Sequence, residues 1–235
     1  MAKIITIGNQ KGGVGKSTIC ALLANALAAA PFSLAVTVLD VDAQRSLLRQ
    51  RLADLEQYKG KTPYPIEAAT IEDVKHNLPA LDKSQDVVLI DAPGRLDSSL
   101  PGDQQIALQL VAISDVLLIP FVPGNFALES SLDFLKAALK TKAARANDAR
   151  PLAVIGLVNM FEGSRTNDDK FLLDELAELR SLVNIPFVGT ELNRYALFRI
   201  TDTLESYYQP GSADKARQNF TLFIDELAQL LQLAG

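Results

Sequence analysis

The sequence predicts one three-layer α/β domain: a mostly parallel, twisted sheet with helices on both faces. Three observations point there. Short, β-branched apolar runs alternate with longer helix-forming stretches along the chain, as repeated βαβ units require. The stretch Lys11-Gly12-Gly13-Val14-Gly15-Lys16-Ser17-Thr18 joins the first of these runs to a helix-forming segment. Two later apolar runs end in carboxylates, Asp40 and Asp91, at the strand edge where an open parallel sheet binds its ligands. A chain of 235 residues with 48% hydrophobic content can bury a full core. No linker, low-complexity stretch or internal repeat divides it, so residues 1–235 read as a single domain.

Residues 3–8 form the expected first strand. The glycine-rich segment after them reads as a phosphate-binding loop: Gly12, Gly13 and Gly15 let successive backbone N–H groups converge, and the following helix aims its positive end at the same point. Lys16 is placed for the β- and γ-phosphates and the Ser17 hydroxyl for Mg²⁺, which describes an ATP or GTP site. The strict Gly-x-x-x-x-Gly-Lys-Ser/Thr pattern is not met, because Gln10 stands where its first glycine belongs, and a second lysine, Lys11, enters the loop. The helix runs to about Ala30, before Pro31. Leu34 to Leu39 is a second strand, ending in Asp40-Val41-Asp42-Ala43-Gln44. Asp40 and Asp42 lie two apart, so on an extended segment they face one side; the alternative is that they cap the helix that follows.

Residues 43–57 are expected as a basic-rich helix with Arg45, Arg49 and Arg51, followed by a polar loop with Pro63 and Pro65. A helix from Ile71 to Leu78 carries the single histidine, His76, on its surface. Asp86-Val87-Val88-Leu89-Ile90-Asp91 is a buried strand whose terminal carboxylate has little structural reason to be there. Asp115 to Pro120 is a further strand, and a long helix from about Phe126 to Ala146 carries Lys136, Lys140, Lys142 and Arg145 toward Arg150, a positive face that reads as solvated surface. Leu152 to Val158 is a strand that sets Asn159 at the same edge, as a base-reading amide or a turn former. A helix from Asp168 to Leu182 and a short edge strand from Ile185 to Val188 follow. The last helix is apolar on one side at Phe220, Phe223, Ile224, Leu227, Leu230 and Leu231, which reads as core packing.

Residues Asn9 to Thr18 closely resemble the deviant Walker A box of the ParA/MinD family of partition and positioning ATPases. Asp40-Val41-Asp42-Ala43-Gln44 resembles its Walker A′ box, with Ala43 in place of proline, and Asp91-Ala92-Pro93-Gly94 follows a Walker B strand, with Gly94 in place of a second proline. The resemblance covers nearly the whole chain, with its specificity concentrated before residue 95. It implies a P-loop NTPase fold, ATP and Mg²⁺ as cofactors, and phosphate contacts from Gly12 through Thr18. It implies that Ser17, Asp40 and Asp91 hold the metal, the two acids through its water shell, and that Asp42 activates the attacking water. It implies that Asn159 reads adenine and that Lys11 reaches across a sandwich homodimer to the other subunit's ATP. It further implies non-specific DNA binding by the ATP-bound dimer and a ParB-like adaptor that stimulates slow hydrolysis. Candidate DNA contacts are Arg165, Arg194, Arg199, Lys215 and Arg217.

The formal charge of −5 argues against an overall basic protein, and acidic residues outnumber basic ones over 160–235, so any DNA-binding patch must be assembled by folding. Cys20 is the sole cysteine, which excludes an internal disulfide or an iron–sulfur cluster and suits a packed thiol in a reducing compartment. No apolar stretch reaches the length of a membrane span. The expectation is a soluble, cytoplasmic protein, nucleoid-associated when ATP-bound, with no membrane partner and no room before residue 3 for a helix-turn-helix domain. Two other readings stay open. A MinD-like membrane-associated ATPase would need cations flanking the last helix, and none follows Arg217. A metabolic P-loop ligase, such as a dethiobiotin synthetase relative, would need a second substrate pocket.

Overall fold

A computed structural model describes residues 1–58, 61–94, 102–163, 166–199 and 202–233, with the side chains of 102–104 and 199 left undescribed. Seven strands form one sheet: β1 (Lys3–Ile7), β2 (Val36–Asp40), β3 (Ile66–Ala68), β4 (Val87–Asp91), β5 (Val116–Phe121), β6 (Ala153–Phe161) and β7 (Leu192–Asn193). Their order is β3-β2-β4-β1-β5-β6-β7, and every pairing is parallel. Strands covered on both faces must be apolar throughout, and β2, β4 and β5 are buried along their whole length.

Helices α1 (Lys16–Ala28), α2 (Ser46–Tyr58), α7 (Ala196–Arg199) and α8 (Lys215–Leu231) cover one face, meeting Ile5, Ile7, Val38, Leu89 and Leu118. Helices α3 (Ile71–Ser84), α4 (Gly102–Ile113), α5 (Asn125–Ala144) and α6 (Asn167–Leu182) cover the other, over Ile4, Leu39, Val88, Leu117 and Ile119. Adjacent residues such as Ile4 and Ile5 thus belong to opposite cores, as the period of a strand requires. The expected three-layer arrangement is the one observed. In α8, Phe220, Phe223, Ile224, Leu227 and Leu231 are buried, so these belong to the core, whereas Leu230, expected with them, faces outward at 38% exposure.

Several elements differ from expectation. Strand β3 lies in the segment read as a polar loop; it is only 3 residues long and pairs through Val38, whose N–H donates to Pro65 O. Helix α4 carried no recognised signal. The edge strand expected at 185–188 reduces to a single bridge between Phe187 and Gly156, and the pairing is completed by β7 instead. Helix α2 begins at Ser46, because Asp42 Oδ1 accepts from Gln44 N–H and Arg45 turns through a positive φ of 48°. Helix α3 continues past Pro79, forgoing one backbone bond. It starts on a reciprocal capping pair between Thr70 and Asp73.

Three arginines are structural, and two of them, Arg145 and Arg150, belong to the run read as solvated surface. Arg150 bonds both Asp115 and Asp82, and Arg145 donates to the Ser114 and Arg150 carbonyls, so much of the positive run after α5 faces internal acceptors. Arg51 is 3% exposed. Its Nε donates to Thr203 Oγ1, Nη2 to Thr203 O and Nη1 to Tyr64 O, at 2.8, 2.9 and 2.7 Å. Asp54 Oδ2 accepts from the Thr203 N–H and hydroxyl, Tyr64 donates to Asn25 Oδ1, and Asn25 Nδ2 donates to Asp202 O. This network fastens α1, α2 and the 202–203 segment together.

Removing the guanidinium would strand the buried Tyr64 and Thr203 carbonyls and loosen the Thr203 contacts that Asp54 accepts. Arg51→Met is expected to cost roughly 2–4 kcal/mol of stability, read as a lower urea midpoint at unchanged slope.

Candidate nucleotide site

The loop between β1 and α1 carries two residues in left-handed backbone, Gly13 at φ 76° and Gly15 at φ 88°. At Gly15 space forbids a side chain as well, since a Cβ there would lie 2.4 Å from Asn159 Nδ2. Helix α1 starts directly after Gly15 with no side-chain cap and no acid in its first turn, leaving its N-terminal N–H donors for an anion. Two buried amides hold the loop. Asn9, fully buried, accepts from Lys11 N–H and donates to Pro120 O and Ser131 Oγ. Asn159 donates to Val14 O at 2.9 Å.

Lys16 is 6% exposed and its Nζ donates to Lys11 O at 3.2 Å. Burial pulls its pKa down, partly offset by Asp91 and Asp42. The Gly94 backbone crosses it so closely that a Cβ would stand 2.7 Å from Lys16 Nζ and 3.3 Å from Gly12 Cα. Lys11, by contrast, is exposed. The two lysines of the loop therefore point to different tasks: one lies inside the cradle and one stands outside it.

The acids gather at the adjoining strand ends. Asp40 and Asp91 are direct neighbours in the β2–β4 register, and Asp91 also neighbours Ile7 at the start of the loop. Asp40 Oδ2 accepts from Leu47 and Leu48 N–H at 3.1 Å each, so Asp40 does hold the start of α2, while its Oδ1 has no partner. Burial raises its pKa, and the Leu48 N–H eases it. Asp91 is fully buried, and neither carboxylate oxygen completes a hydrogen bond. Burial pushes its pKa up to about 7; Ser17 nearby eases the charge without closing a bond, and Asp40 adds repulsion. Asp42 sits beyond the strand end, half-buried, and its Oδ2 accepts a long bond of 3.4 Å from Gly94 N–H.

Three buried carboxylate oxygens without donors, beside a serine hydroxyl and an anion cradle, fit the water shell of Mg²⁺. Ser17 would ligate the ion directly, with Asp91 and Asp40 holding its waters. Among the described residues no group of three His, Cys, Asp or Glu side chains is placed to hold a metal ion. Cys20 is completely buried and its thiol is raised by burial, as a packed thiol should be, and His76 is exposed.

Of the recesses beside the loop, two meet at Met160. One of 170 Å³ is walled by Thr18, Leu22, Asn159, Met160, Tyr195 and Phe198. Another of 380 Å³ runs past Lys11 and Gly12 between Val122, Pro123, Met160 and Asp168. Met160 has a positive φ of 57°, at the register shift where β6 turns to pair with β7, so it reaches both recesses. Sequence reasoning gave no role to Asn9 or Met160. The signal for Asn9 was an amide directly following a buried strand; none existed for Met160.

Of the candidate DNA contacts, Arg165 and the Arg199 side chain lie outside the described residues. Arg194 pairs with Glu162 at 3.1 Å on the rim of the larger recess. Arg217 lies over the Tyr207 ring, and Lys215 is exposed. Asn219, one turn beyond Lys215 on α8, accepts from Asn193 N–H and donates to Glu191 O, which fastens α8 to the β7 edge that Arg194 follows.

The sequence matches CbiA, the CobQ/CobB/MinD/ParA nucleotide binding domain, over residues 5–199. The chain belongs to this family. As a CobQ/CobB/MinD/ParA domain it is a nucleotide-binding protein, and the loop described above lies within the matched span. A search of curated protein sequences gave no match. Among solved structures, a plasmid partition protein from Borrelia burgdorferi superposes with a TM-score of 0.64 at 19% identity, over 97% of this chain and 99% of that one. Cobyrinic acid a,c-diamide synthase from Mycobacterium smegmatis, solved with ADP and magnesium, gives 0.66 at 19% identity, over 99% and 96%. An McdA variant of Cyanothece, in complex with ATP, gives 0.67 at 17% identity, over 97% and 96%. At these identities the likeness is one of fold, which is the expected α/β P-loop NTPase architecture.

The buried Asp91 carries a sign that can be tested in this CobQ/CobB/MinD/ParA domain without metal. Its folded pKa lies above its unfolded one, so the folded state holds the extra proton between about pH 4 and 7, and stability falls as pH rises through that window. In EDTA, Asp91→Asn is expected to melt several degrees above wild type at pH 8, with the gap closing at pH 5. The same variant is expected to lose the magnesium dependence of nucleotide binding.

Proposed function

We propose that this chain is an ATP-driven dimerisation switch of the ParA kind. Its ATP-bound homodimer binds DNA without sequence specificity, and a ParB-like adaptor releases it by stimulating hydrolysis, so that a plasmid, chromosome or protein cargo is positioned. The observation that carries this reading is the division of labour between the loop lysines. Lys16 is buried in its own cradle, whereas Lys11 is exposed while its backbone is pinned by Asn9. A cation fixed at its base and turned outward suits a phosphate on another subunit, where it would act as an arginine finger does.

Within one subunit, the α1 N-terminus, Gly12 to Gly15 and Lys16 would hold the triphosphate, with Thr18 beside the α-phosphate. Bound Mg²⁺ would withdraw charge from the β- and γ-phosphate oxygens. Asp42, free of the strand and half-buried, is the carboxylate suited to orient the attacking water, which adds to the γ-phosphorus as the bond to ADP breaks and gives ADP and phosphate. Asp40 is tied to α2 and suits the metal's water shell instead. Asn159 keeps one amide hydrogen after bonding Val14 O, and it borders the smaller recess, which is sized for a purine. Turnover should be slow until a second subunit and the adaptor complete the site.

The DNA surface would gather Arg194, Lys215 and Arg217 at the β7 edge, joined by Arg165 and Arg199. In solution the protein would be cytoplasmic and associate with the nucleoid when ATP-bound; among the described residues no helix is long and apolar enough to cross a membrane. A MinD-like membrane role finds less support, because most of the apolar side of α8 is buried in the core. The ligase reading would place a second substrate in the 380 Å³ recess, and small-molecule-dependent turnover without any DNA effect would favour it.

Light-scattering mass with ADP and with a non-hydrolysable ATP analogue, with and without duplex DNA, tests the switch. Wild type is expected to double its mass only with the analogue and to bind DNA only in that state. Lys11→Ala should lose both properties and retain nucleotide binding. A nucleotide-independent mass would defeat the reading. Lys215→Glu with Arg217→Glu is expected to leave the dimer intact and weaken DNA binding at least tenfold or so, with a shallower salt dependence.

A further inference from the structure

Phe126 stands on the first turn of α5 at 84% exposure, between Pro123 and Ala127, both of which line the 380 Å³ cleft beside the phosphate loop. A single exposed aromatic is ordinary on a protein surface. Its surroundings are not, because Val122, Pro123, Ala127 and Met160 form an apolar wall next to Lys11. The same turn is locked to the loop: Asn9 bonds both Lys11 N–H and Ser131 Oγ, and Ser131 Oγ bonds Ala127 O. Phe126 and Lys11 are therefore carried on one rigid frame.

Charge decides what such a surface can meet. Lys11 is exposed and forms no ion pair among the described residues, so its cation is available to an anion from outside the chain. The opposite side of the cleft carries the Glu162–Arg194 pair and the exposed Asp168, with Asp169 buried behind them, so among the described residues it offers a phosphate backbone laid along it no unpaired cation. A second copy of this chain offers the localised alternative: the triphosphate held in its own loop, surrounded by the same apolar wall. Twofold pairing brings each Lys11 to the other loop and applies every apolar contact twice.

We propose that Phe126 is the apolar anchor of a contact with a second copy of this chain, seated beside the phosphate loop and closing it from water. This rests on the nucleotide-dependent dimer proposed above and adds the residue that seals it. Burying an aromatic at the centre of a contact is the usual source of a large share of its affinity. Excluding water there also strengthens the pull between Lys11 and the opposite phosphates.

The test uses the full chain with Mg²⁺ and a non-hydrolysable ATP analogue, and compares wild type, Phe126→Ala, Phe126→Leu and Lys11→Ala by sedimentation velocity. A fluorescent ATP analogue and thermal melting report nucleotide affinity and folding on the same samples. Phe126→Ala is expected to weaken the dimer at least about tenfold, with nucleotide affinity of the monomer, read at dilute protein, and melting without nucleotide unchanged, and Phe126→Leu to recover most of the loss. If Phe126→Ala dimerises like wild type while Lys11→Ala does not, the anchor is refuted and the switch stands. Normal dimerisation with lost binding to duplex DNA or to anionic vesicles would refute it too, by assigning Phe126 to that other partner. If wild type itself stays monomeric with the analogue, the switch and the anchor fall together.

Discussion

Two carboxylates are held side by side at the C-terminal edge of the sheet, and much of the site is an answer to their charge. Asp40 and Asp91 are register partners in adjacent central strands, buried from water, with three oxygens lacking a donor. An isolated buried carboxylate is costly, and two neighbours compound the cost by repulsion. The structure supplies partial relief from the α2 backbone, from Ser17 and from Lys16. What remains is suited to a hydrated cation that arrives with a phosphate ligand. The protein is thus less comfortable empty than filled, which is how a nucleotide and its metal can act on the surrounding structure at all.

The loop that receives the phosphate is shaped by its neighbours as much as by its glycines. Asn9 fixes the entry to the ends of β5 and α5, and Asn159 fixes the exit from β6. Asn9 reaches outward from the loop's own entry and Asn159 reaches in from β6, so the cradle is braced on both sides by elements far away in sequence. A shift at either side would therefore reach Lys11, Lys16 and the backbone donors together.

Asp40 links the same edge to a second structural unit. Its carboxylate holds the first turn of α2, and α2 in turn holds the 202–203 segment through Arg51 and Asp54. Helix α1, which begins at the phosphate loop, joins that network through Asn25. The two helices that start at the nucleotide edge are consequently tied to each other and to the chain leading into α8, so the site and this flank are mechanically continuous.

The phosphate loop, the acids at the ends of β2 and β4, the layer order and the packed character of Cys20 and α8 were all legible in the sequence. Each depends on local chemistry: glycine at positive φ, period-2 apolar runs and a carboxylate where an apolar run stops. The weaker elements were not. β3 and β7 are 3 and 2 residues long and exist only because a neighbouring strand supplies their partners. Arg145 and Arg150 read as solvated cations, and Arg51 as one charge of a basic helix, because their acceptors, among them Thr203, Ser114 and Asp115, come from distant segments. The same distance hid the roles of Asn9 and Met160. By itself the sequence determined that this chain builds a glycine-rich strand-to-helix loop beside two carboxylates at the edge of a parallel sheet, because those signals lie within a few residues of one another. Which side chains brace the cradle, which lysine faces outward and which cations remain at the surface were decided by tertiary structure, since burial and hydrogen-bond partners come from parts of the chain that only folding brings together.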